Sequence, residues 1–428
     1  MKRTIQARLS AMMFLEFFVW GAWYTTVAVT MTAHGMEGLT HWPFTVNPIA
    51  ALVAPFFVGL IADRYFATQR VLGALHLLGA AFMFAAPSVI SYPAVFILVL
   101  LAYNLCYMPT MSLANTLAFH NMTDQESQFP IIRVFGTVGW IVAGLLVSFA
   151  GVYFVPEGVI PEETTFPLYL TAAVSALYGL YSFTLPHTPP PAEGEEVSLR
   201  SIVGIDALKE LGSTSFYVFL ASSFLISIPL AAYYNFTQTF LENTGFQDVA
   251  AVQTIGQASE VVFMLLMPLF FVRLGVKWML GVGMFAWVLR YALFAMGAPD
   301  AVTWMIISGI ALHGICYDFF FVTGQIYVDK KASDEIRGQA QGLIVLITYG
   351  AGMLVGAQAA GWLFNFIRTG DQLSLDQWVA FWWMPALFAG AVLLFFLLFF
   401  HDEVEITDES VASVMGAETD EKKEVAGS

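Results

Sequence analysis

The sequence predicts an all-α membrane protein of twelve transmembrane helices, built as two six-helix pseudo-repeats. Three observations predict it. First, 58% of the 428 residues are hydrophobic and only 11% are charged, against about 25% charged in a typical soluble domain. That is too little charge to cover a water-facing surface, which excludes a soluble enzyme, a nucleic-acid binder and a disordered scaffold. Second, the apolar runs last about twenty residues, the length that crosses ~30 Å of hydrocarbon as a helix. A barrel would instead show short stretches alternating with period two. Third, sequence features recur at offsets near half the chain length.

Apolar runs between turn signals place the spans, numbered one to twelve, at 9–33, 45–62, 71–88, 93–118, 133–153, 167–185, 215–240, 250–272, 278–297, 301–327, 338–365 and 378–400. Span one is too long for a cleaved signal peptide, carries Glu16 and lacks a small-residue cleavage site. With the N-terminus taken as cytoplasmic, the external loops hold one basic residue, Arg368. Arg290 lies within a span, and the other fifteen of the 17 basic residues fall at internal loops, internal span ends or termini. This asymmetry predicts both termini inside.

The connection 186–214, which opens Pro186-His187-Thr188-Pro189-Pro190-Pro191, is read as a cytoplasmic linker between an N-terminal half, 1–185, and a C-terminal half, 215–400. Cys106-Tyr107 in span four recurs as Cys316-Tyr317 in span ten. Pro55-Phe56-Phe57-Val58 in span two is echoed by Pro268-Leu269-Phe270-Phe271-Val272 in span eight. Two parallel repeats around a central cavity form a transporter plan, with substrate bound near the bilayer midplane. The segment 401–428 carries nine acids against Lys422 and Lys423. It reads as a disordered acidic cytoplasmic tail.

Enzyme signatures are absent. The chain has no Gly-x-x-x-x-Gly-Lys-[Ser/Thr], no His-Glu-x-x-His and no Gly-x-Ser-x-Gly. Its seven histidines show no metal-ligand spacing, so neither a metal nor a cofactor is expected. Ionisable residues inside spans are the sharpest signals, because a mid-bilayer charge costs at least ~2.5–3.5 kcal/mol and normally faces a cavity or a partner. They are Glu16, His76, Glu260, Arg290, His313 and Asp318, with Arg133 at a span entrance.

Gln253, Gln257 and Glu260 are spaced i, i+4, i+7 on span eight, as are Arg133, Thr137 and Trp140 on span five and Glu16, Trp20 and Trp23 on span one. Such spacing puts each set on one helix face. Three such stripes predict the lining of one cavity. The competing readings are polar glue between helices and tryptophans anchored at the interface. His313 and Tyr317 share a face of span ten. Asp318 lies about 100° around that helix, where it pairs with Arg290 in one reading and carries a proton in the other. The glycines of spans five and eleven read as close helix packing.

At the internal end of span two stands Gly59-Leu60-Ile61-Ala62-Asp63-Arg64, with Arg70 beyond. It resembles the G-x-L-x-D-R signature of the major facilitator superfamily. The resemblance implies that fold, and a cytoplasmic gating role for Asp63, Arg64 and Arg70. Further stretches resemble the nucleoside:proton symporters of that superfamily. They include Phe18-Val19-Trp20-Gly21-Ala22-Trp23, Tyr107-Met108-Pro109-Thr110, Arg133-Val134-Phe135-Gly136-Thr137, Leu185-Pro186-His187, Gln257-Ala258-Ser259-Glu260, Trp287-Val288-Leu289-Arg290-Tyr291 and Asp318-Phe319-Phe320.

This resemblance implies a substrate pocket from spans five, seven, eight and ten. Arg133, Thr137, Gln257 and Glu260 stand at matching positions, Trp140 and Tyr317 where aromatic rings are expected, and Asp318 where an acid is. The chain departs from the pattern at Ala231 and Tyr234, where relatives carry amides, at His313 in place of a tyrosine, and at Glu16 in place of a neutral amide.

The expected function is a secondary transporter that imports nucleosides by proton symport through alternating access. It is expected to be multi-pass in the inner membrane, monomeric, with lipid, nucleoside and protons as its partners and no nucleic acid. Substrate contacts are expected from Arg133, Thr137, Trp140, Tyr234, Gln257, Glu260, His313 and Tyr317, and proton coupling from Glu260, Asp318 or Glu16. Aromatic and amide-rich linings also suit sugars, so a proton-coupled carrier of a sugar or another polar metabolite is the first alternative. A non-transporting sensor on the same fold is the second.

Overall fold

The computed structural model describes residues 3–57, 65–123, 125–190, 204–333 and 336–401, which are helices and short connections with no strand among them. The predicted gating residues Asp63 and Arg64, the linker residues 191–203 and the acidic tail from Asp402 onward lie outside the described residues. Arg70 is described and exposed, near the start of helix Thr68–Ala85.

Nine helices among the described residues are long and apolar enough to cross a membrane. That count takes Val249–Gly297 once, yet at 49 residues and about 1.5 Å per residue it is more than twice as long as hydrocarbon is thick. It breaks at Gly275, whose φ of 66° and ψ of 177° suit a residue without a Cβ. Spans eight and nine are the two arms of this helix. Two other predicted spans appear as shorter helices, Trp42–Phe57 and Phe166–Ser182. The twelve-span reading rests on counting these three.

Span one differs from the single helix expected. It runs Arg3–Tyr24, breaks, and resumes as Val27–Ala33. At the break the Thr25 hydroxyl donates back to Gly21 O (2.9 Å) and the Thr26 hydroxyl to Trp23 O (3.2 Å). Threonine hydroxyls compete in this way with backbone donors. The carbonyls of Tyr24 and Thr25 are thereby left for partners elsewhere. Spans five, ten and eleven also depart from regular α-helix, through π-helical turns at Leu146–Ala150, Asp318–Val322 and Leu346–Gly352. Such turns frequently mark functional sites.

Within the first half of the chain, span one packs on spans five and six, span three on spans four and six, and span two on span four. Within the second half, span seven packs on eleven and twelve, and the long helix on spans ten and twelve. Contacts between the halves join span five to the long helix, span two to span eleven, and the end of span one to span seven.

Hydrogen bonds between the halves collect at the end that carries the 34–41 loop. Gln238 Nε2 donates to Tyr24 O (2.8 Å) and Gln253 Nε2 to Thr25 O (3.0 Å), the two carbonyls freed by the break. Gln358 Nε2 donates to Thr45 Oγ1 (2.7 Å) and Asn365 Nδ2 to Gly38 O (3.0 Å). Ala251 N, in the first turn of the long helix, donates to Ser148 Oγ (3.0 Å), and that hydroxyl donates to Glu162 Oε1 (2.5 Å). Glu162, in the 154–165 loop, is buried, and its backbone carbonyl accepts from the Thr30 hydroxyl (2.8 Å). Burial pushes the Glu162 carboxyl above the usual carboxylate range, with a further push from Asp248 and partial relief from the Ser148 hydroxyl.

Two predictions follow from this packing. At Gly314 a Cβ would stand 2.5 Å from Ser259 O and 2.7 Å from Glu260 N, whereas at Gly338 it would meet nothing within 4 Å. Gly314→Ala should therefore cost about 1–3 kcal/mol through overpacking. Gly338→Ala should be neutral or slightly stabilising. Thermal unfolding in detergent compares them, and equal melting temperatures would refute the close approach. For Glu162 the raised carboxyl favours the protonated form in the fold. Its contribution is therefore full below the ordinary carboxylate range and is lost as pH rises through the raised value. As pH rises above the ordinary carboxylate range, the wild-type melting temperature should fall further than that of Glu162→Gln. Identical pH profiles would remove Glu162 from the junction.

Candidate functional site

Beneath the bonded end, between the two halves, lies a cavity enclosing about 720 Å³ of empty space, the part open to solvent included. The first half contributes Arg133, Thr137 and Trp140 from span five. The second contributes Gln257 and Glu260 from span eight, His313 and Tyr317 from span ten, and Tyr234 from span seven. The structure thus brings together all eight residues expected from sequence to contact substrate. The i, i+4, i+7 stripe of span five lines the cavity in full.

The other two stripes are split. On span eight Gln257 and Glu260 reach the cavity, while Gln253 is committed to the Thr25 carbonyl. On span one Trp20 reaches it, but Trp23 and Glu16 are not among its lining and are fully buried. Glu16 turns instead toward spans three, four and six. Its carboxylate accepts from the Thr110 hydroxyl (2.7 Å) and the Tyr178 hydroxyl (2.8 Å) and lies 3.4 Å from His76 Nε2. His76 Nδ1 is 3.1 Å from Ser175 Oγ, and the Tyr107 hydroxyl donates to Glu16 O (2.8 Å). A carboxylate with these donors has no need of the cavity.

Asp318 is buried outside the lining, at the start of the π-helical turn, and neither carboxylate oxygen has a hydrogen-bond partner among the described residues. The ion pair with Arg290 is not formed. Arg290 Nε donates to Gly309 O (3.0 Å), its guanidinium lies 4.1 Å from the centroid of the Tyr233 ring, and its two Nη atoms have no hydrogen-bond partner among the described residues. Desolvated cation–π contacts are worth about 2 kcal/mol, so the Tyr233 ring substitutes in part for a carboxylate.

Within the cavity the polar groups are held from behind. The Arg133 guanidinium stacks 4.0 Å from the Phe17 ring centroid. Gly136 makes room for that stack, since a Cβ there would stand 2.6 Å from Phe17 and 2.7 Å from Arg133 Nη1. His313 stacks between Tyr233 (5.5 Å) and Tyr317 (5.8 Å), with Nε2 4.0 Å from Glu260 Oε2. The Tyr317 and Tyr349 hydroxyls share a 2.5 Å hydrogen bond. Aromatic rings close the other side. Trp20 lies 5.3 Å from Trp140 and 5.5 Å from Tyr24, and Tyr24 lies 6.0 Å from Tyr234. One wall offers flat faces, and another offers a carboxylate, a guanidinium and an amide.

Sequence reasoning missed Asn47, Tyr349, Tyr24, Phe17 and Met353, which also line the cavity. Asn47 had a signal, an amide in an otherwise apolar run. The others had none, because rings and thioethers in spans are as common in lipid-facing or core positions.

Residues 2–405 match the family described as "Nucleoside H+ symporter". The chain belongs to this family. Among members of the nucleoside H+ symporter family and their relatives, it is 38% identical to the putative nucleoside transporter YegT of Escherichia coli (strain K12), over 96% of this chain and 98% of that protein. It is 31% identical to the nucleoside permease NupG of the same organism, over 90% of this chain and 93% of NupG. The crystal structure of the nucleoside transporter NupG superposes with a TM-score of 0.82 at 29% identity, covering 94% of this chain and all of that one. The fold is accordingly that of the major facilitator transporters, and the protein is a multi-pass membrane protein.

Proposed function

We propose that this protein imports nucleosides across the bacterial inner membrane by proton symport and alternating access, with both termini cytoplasmic and two six-span halves rocking about the central cavity. The observation that carries the reading is the cavity's division of chemistry. A nucleoside has a flat base and a ribose with vicinal hydroxyls. Trp20, Tyr24, Trp140 and Tyr234 supply ring faces for the base, and Glu260 and Gln257 suit the hydroxyls, with Thr137 beside them. Rings stacked on a base are worth about 1–3 kcal/mol each. The names of the relatives, a nucleoside permease and a putative nucleoside transporter, agree with this chemistry.

Glu260 is the leading group for proton coupling. It is the acid that lines the cavity, whereas Glu16 and Asp318 are buried behind helices. A carboxylate only accepts hydrogen bonds, while a carboxylic acid also donates one. A proton on Glu260 therefore changes its contact with a ribose hydroxyl, and proton and substrate affect each other's binding reciprocally. Arg133 faces the same space and is assigned to substrate contact.

The expected outcome for Glu260→Gln in proteoliposomes is loss of uphill accumulation driven by a pH gradient, with exchange of labelled for unlabelled uridine retained. Arg133→Ala should weaken uridine binding in detergent about tenfold, the loss of one charge-assisted hydrogen bond. Proton uptake with substrate by Glu260→Gln would refute the assignment, and would pass the role to whichever of Asp318→Asn and Glu16→Gln abolishes it. Stronger displacement of labelled uridine by hexoses than by nucleosides would replace the nucleoside reading by the sugar reading.

A further inference from the structure

In the sequence Asn47 is only a lone amide in an apolar run, yet it lines the cavity with its amide oriented by a chain of hydrogen bonds. Asn104, in span four, is fully buried, and its Nδ2 donates to Leu100 O at 2.8 Å. A main-chain carbonyl can only accept, so that contact is made by the Asn104 nitrogen and the Asn104 oxygen faces the other way. That oxygen accepts from Asn47 Nδ2 at 2.9 Å. Turning the Asn47 amide over would set two carbonyl oxygens against each other. The assignment therefore follows from the network and from donor chemistry. Asn47 Nδ2 is held toward Asn104, while Asn47 Oδ1 accepts from no side chain or backbone group among the described residues, although the residue lines the cavity.

The position of Asn47 defines what that oxygen meets. Phe44, one turn earlier on the same helix face, lies 4.9 Å from Tyr24, which in turn lies against Trp20, Trp140 and Tyr234. Asn47 therefore stands beside the ring-lined wall, the wall assigned to the base under the nucleoside reading on which this inference rests. We propose that Asn47 determines base specificity. Its Oδ1 accepts a hydrogen bond from the ring N–H of the base, which selects nucleosides with an imide N–H on that edge, such as uridine, over those with a lone pair there, such as cytidine. Asn104 acts as a positioning residue by fixing which end of the Asn47 amide faces the base. A site built to accept from a donor discriminates against a ligand that lacks it, because the buried oxygen is then left unpaired or faces a second lone pair.

The test is a matched pair of affinities, for uridine and cytidine, measured by quenching of tryptophan fluorescence in detergent on wild type, Asn47→Ala, Asn47→Leu and Asn104→Leu. Wild type should bind uridine about tenfold more tightly than cytidine, the worth of one hydrogen bond. Asn47→Ala and Asn47→Leu should bring that ratio to about one, mainly through loss of uridine affinity. Asn104→Leu keeps Asn47 but frees its amide to turn, so it should also lower the ratio, through a gain in cytidine affinity. That gain is a signature which a merely damaged site would not give. A ratio unchanged in both Asn47 variants, or an equal loss of both ligands in all variants, would overturn the proposal. Wild type that binds neither nucleoside would overturn the nucleoside reading itself, a result separable from either of these.

Discussion

A charged group in hydrocarbon must find a partner or a polar space, and the interior of this protein is arranged around that requirement. Four ionisable side chains inside the spans meet it in different ways. Glu16 collects the Thr110 and Tyr178 hydroxyls with the His76 ring beside it, and Arg290 leans on the Tyr233 ring and the Gly309 carbonyl. Arg133 and Glu260 are given a cavity instead. The first two are held by the protein itself, and the last two are left for something that enters. This division is the physical ground for placing the chemistry at Arg133 and Glu260 rather than at every buried charge. Asp318 stands apart, buried with neither oxygen hydrogen-bonded among the described residues.

The same accounting explains why the cavity ends where it does. Breaking span one at Thr25 and Thr26 releases two backbone carbonyls, which would be costly to bury alone. Gln238 and Gln253, from the other half of the chain, satisfy them. These bonds, with those of Gln358, Asn365 and Ser148, close the cavity at one end. They are polar and can be exchanged for water when the halves part, while Val29 and Ala357 add apolar packing across the same junction. Alternating access, as proposed, needs a junction of this kind.

Much of this was legible in the sequence because membrane spans obey a simple rule of length and hydropathy, and helix spacing then assigns faces. Arg133, Thr137 and Trp140 share the cavity because residues at i, i+4 and i+7 must share a face. What spacing does not give is which neighbour a face meets. Gln253 has the same spacing to Gln257 as Thr137 has to Arg133, yet it is spent on a carbonyl freed by an irregular break that hydropathy does not register. Glu16 shares a stripe with Trp20, but a turn of helix separates them, and span one meets different neighbours at each level. Asn47 was passed over because one amide in an apolar run carries no pattern. Its orientation depends on Asn104, 57 positions away. The tyrosines that complete the aromatic wall carried no signal, since rings are spread through all the spans.

The central claim is that a nucleoside and a proton move together through this cavity. Uptake of labelled uridine into proteoliposomes with and without an imposed inward proton gradient tests it most directly. The account predicts accumulation above the external concentration only with the gradient acid outside, abolished by a protonophore. Uridine uptake that equilibrates at the same level with and without the gradient, or its absence in both, would contradict it.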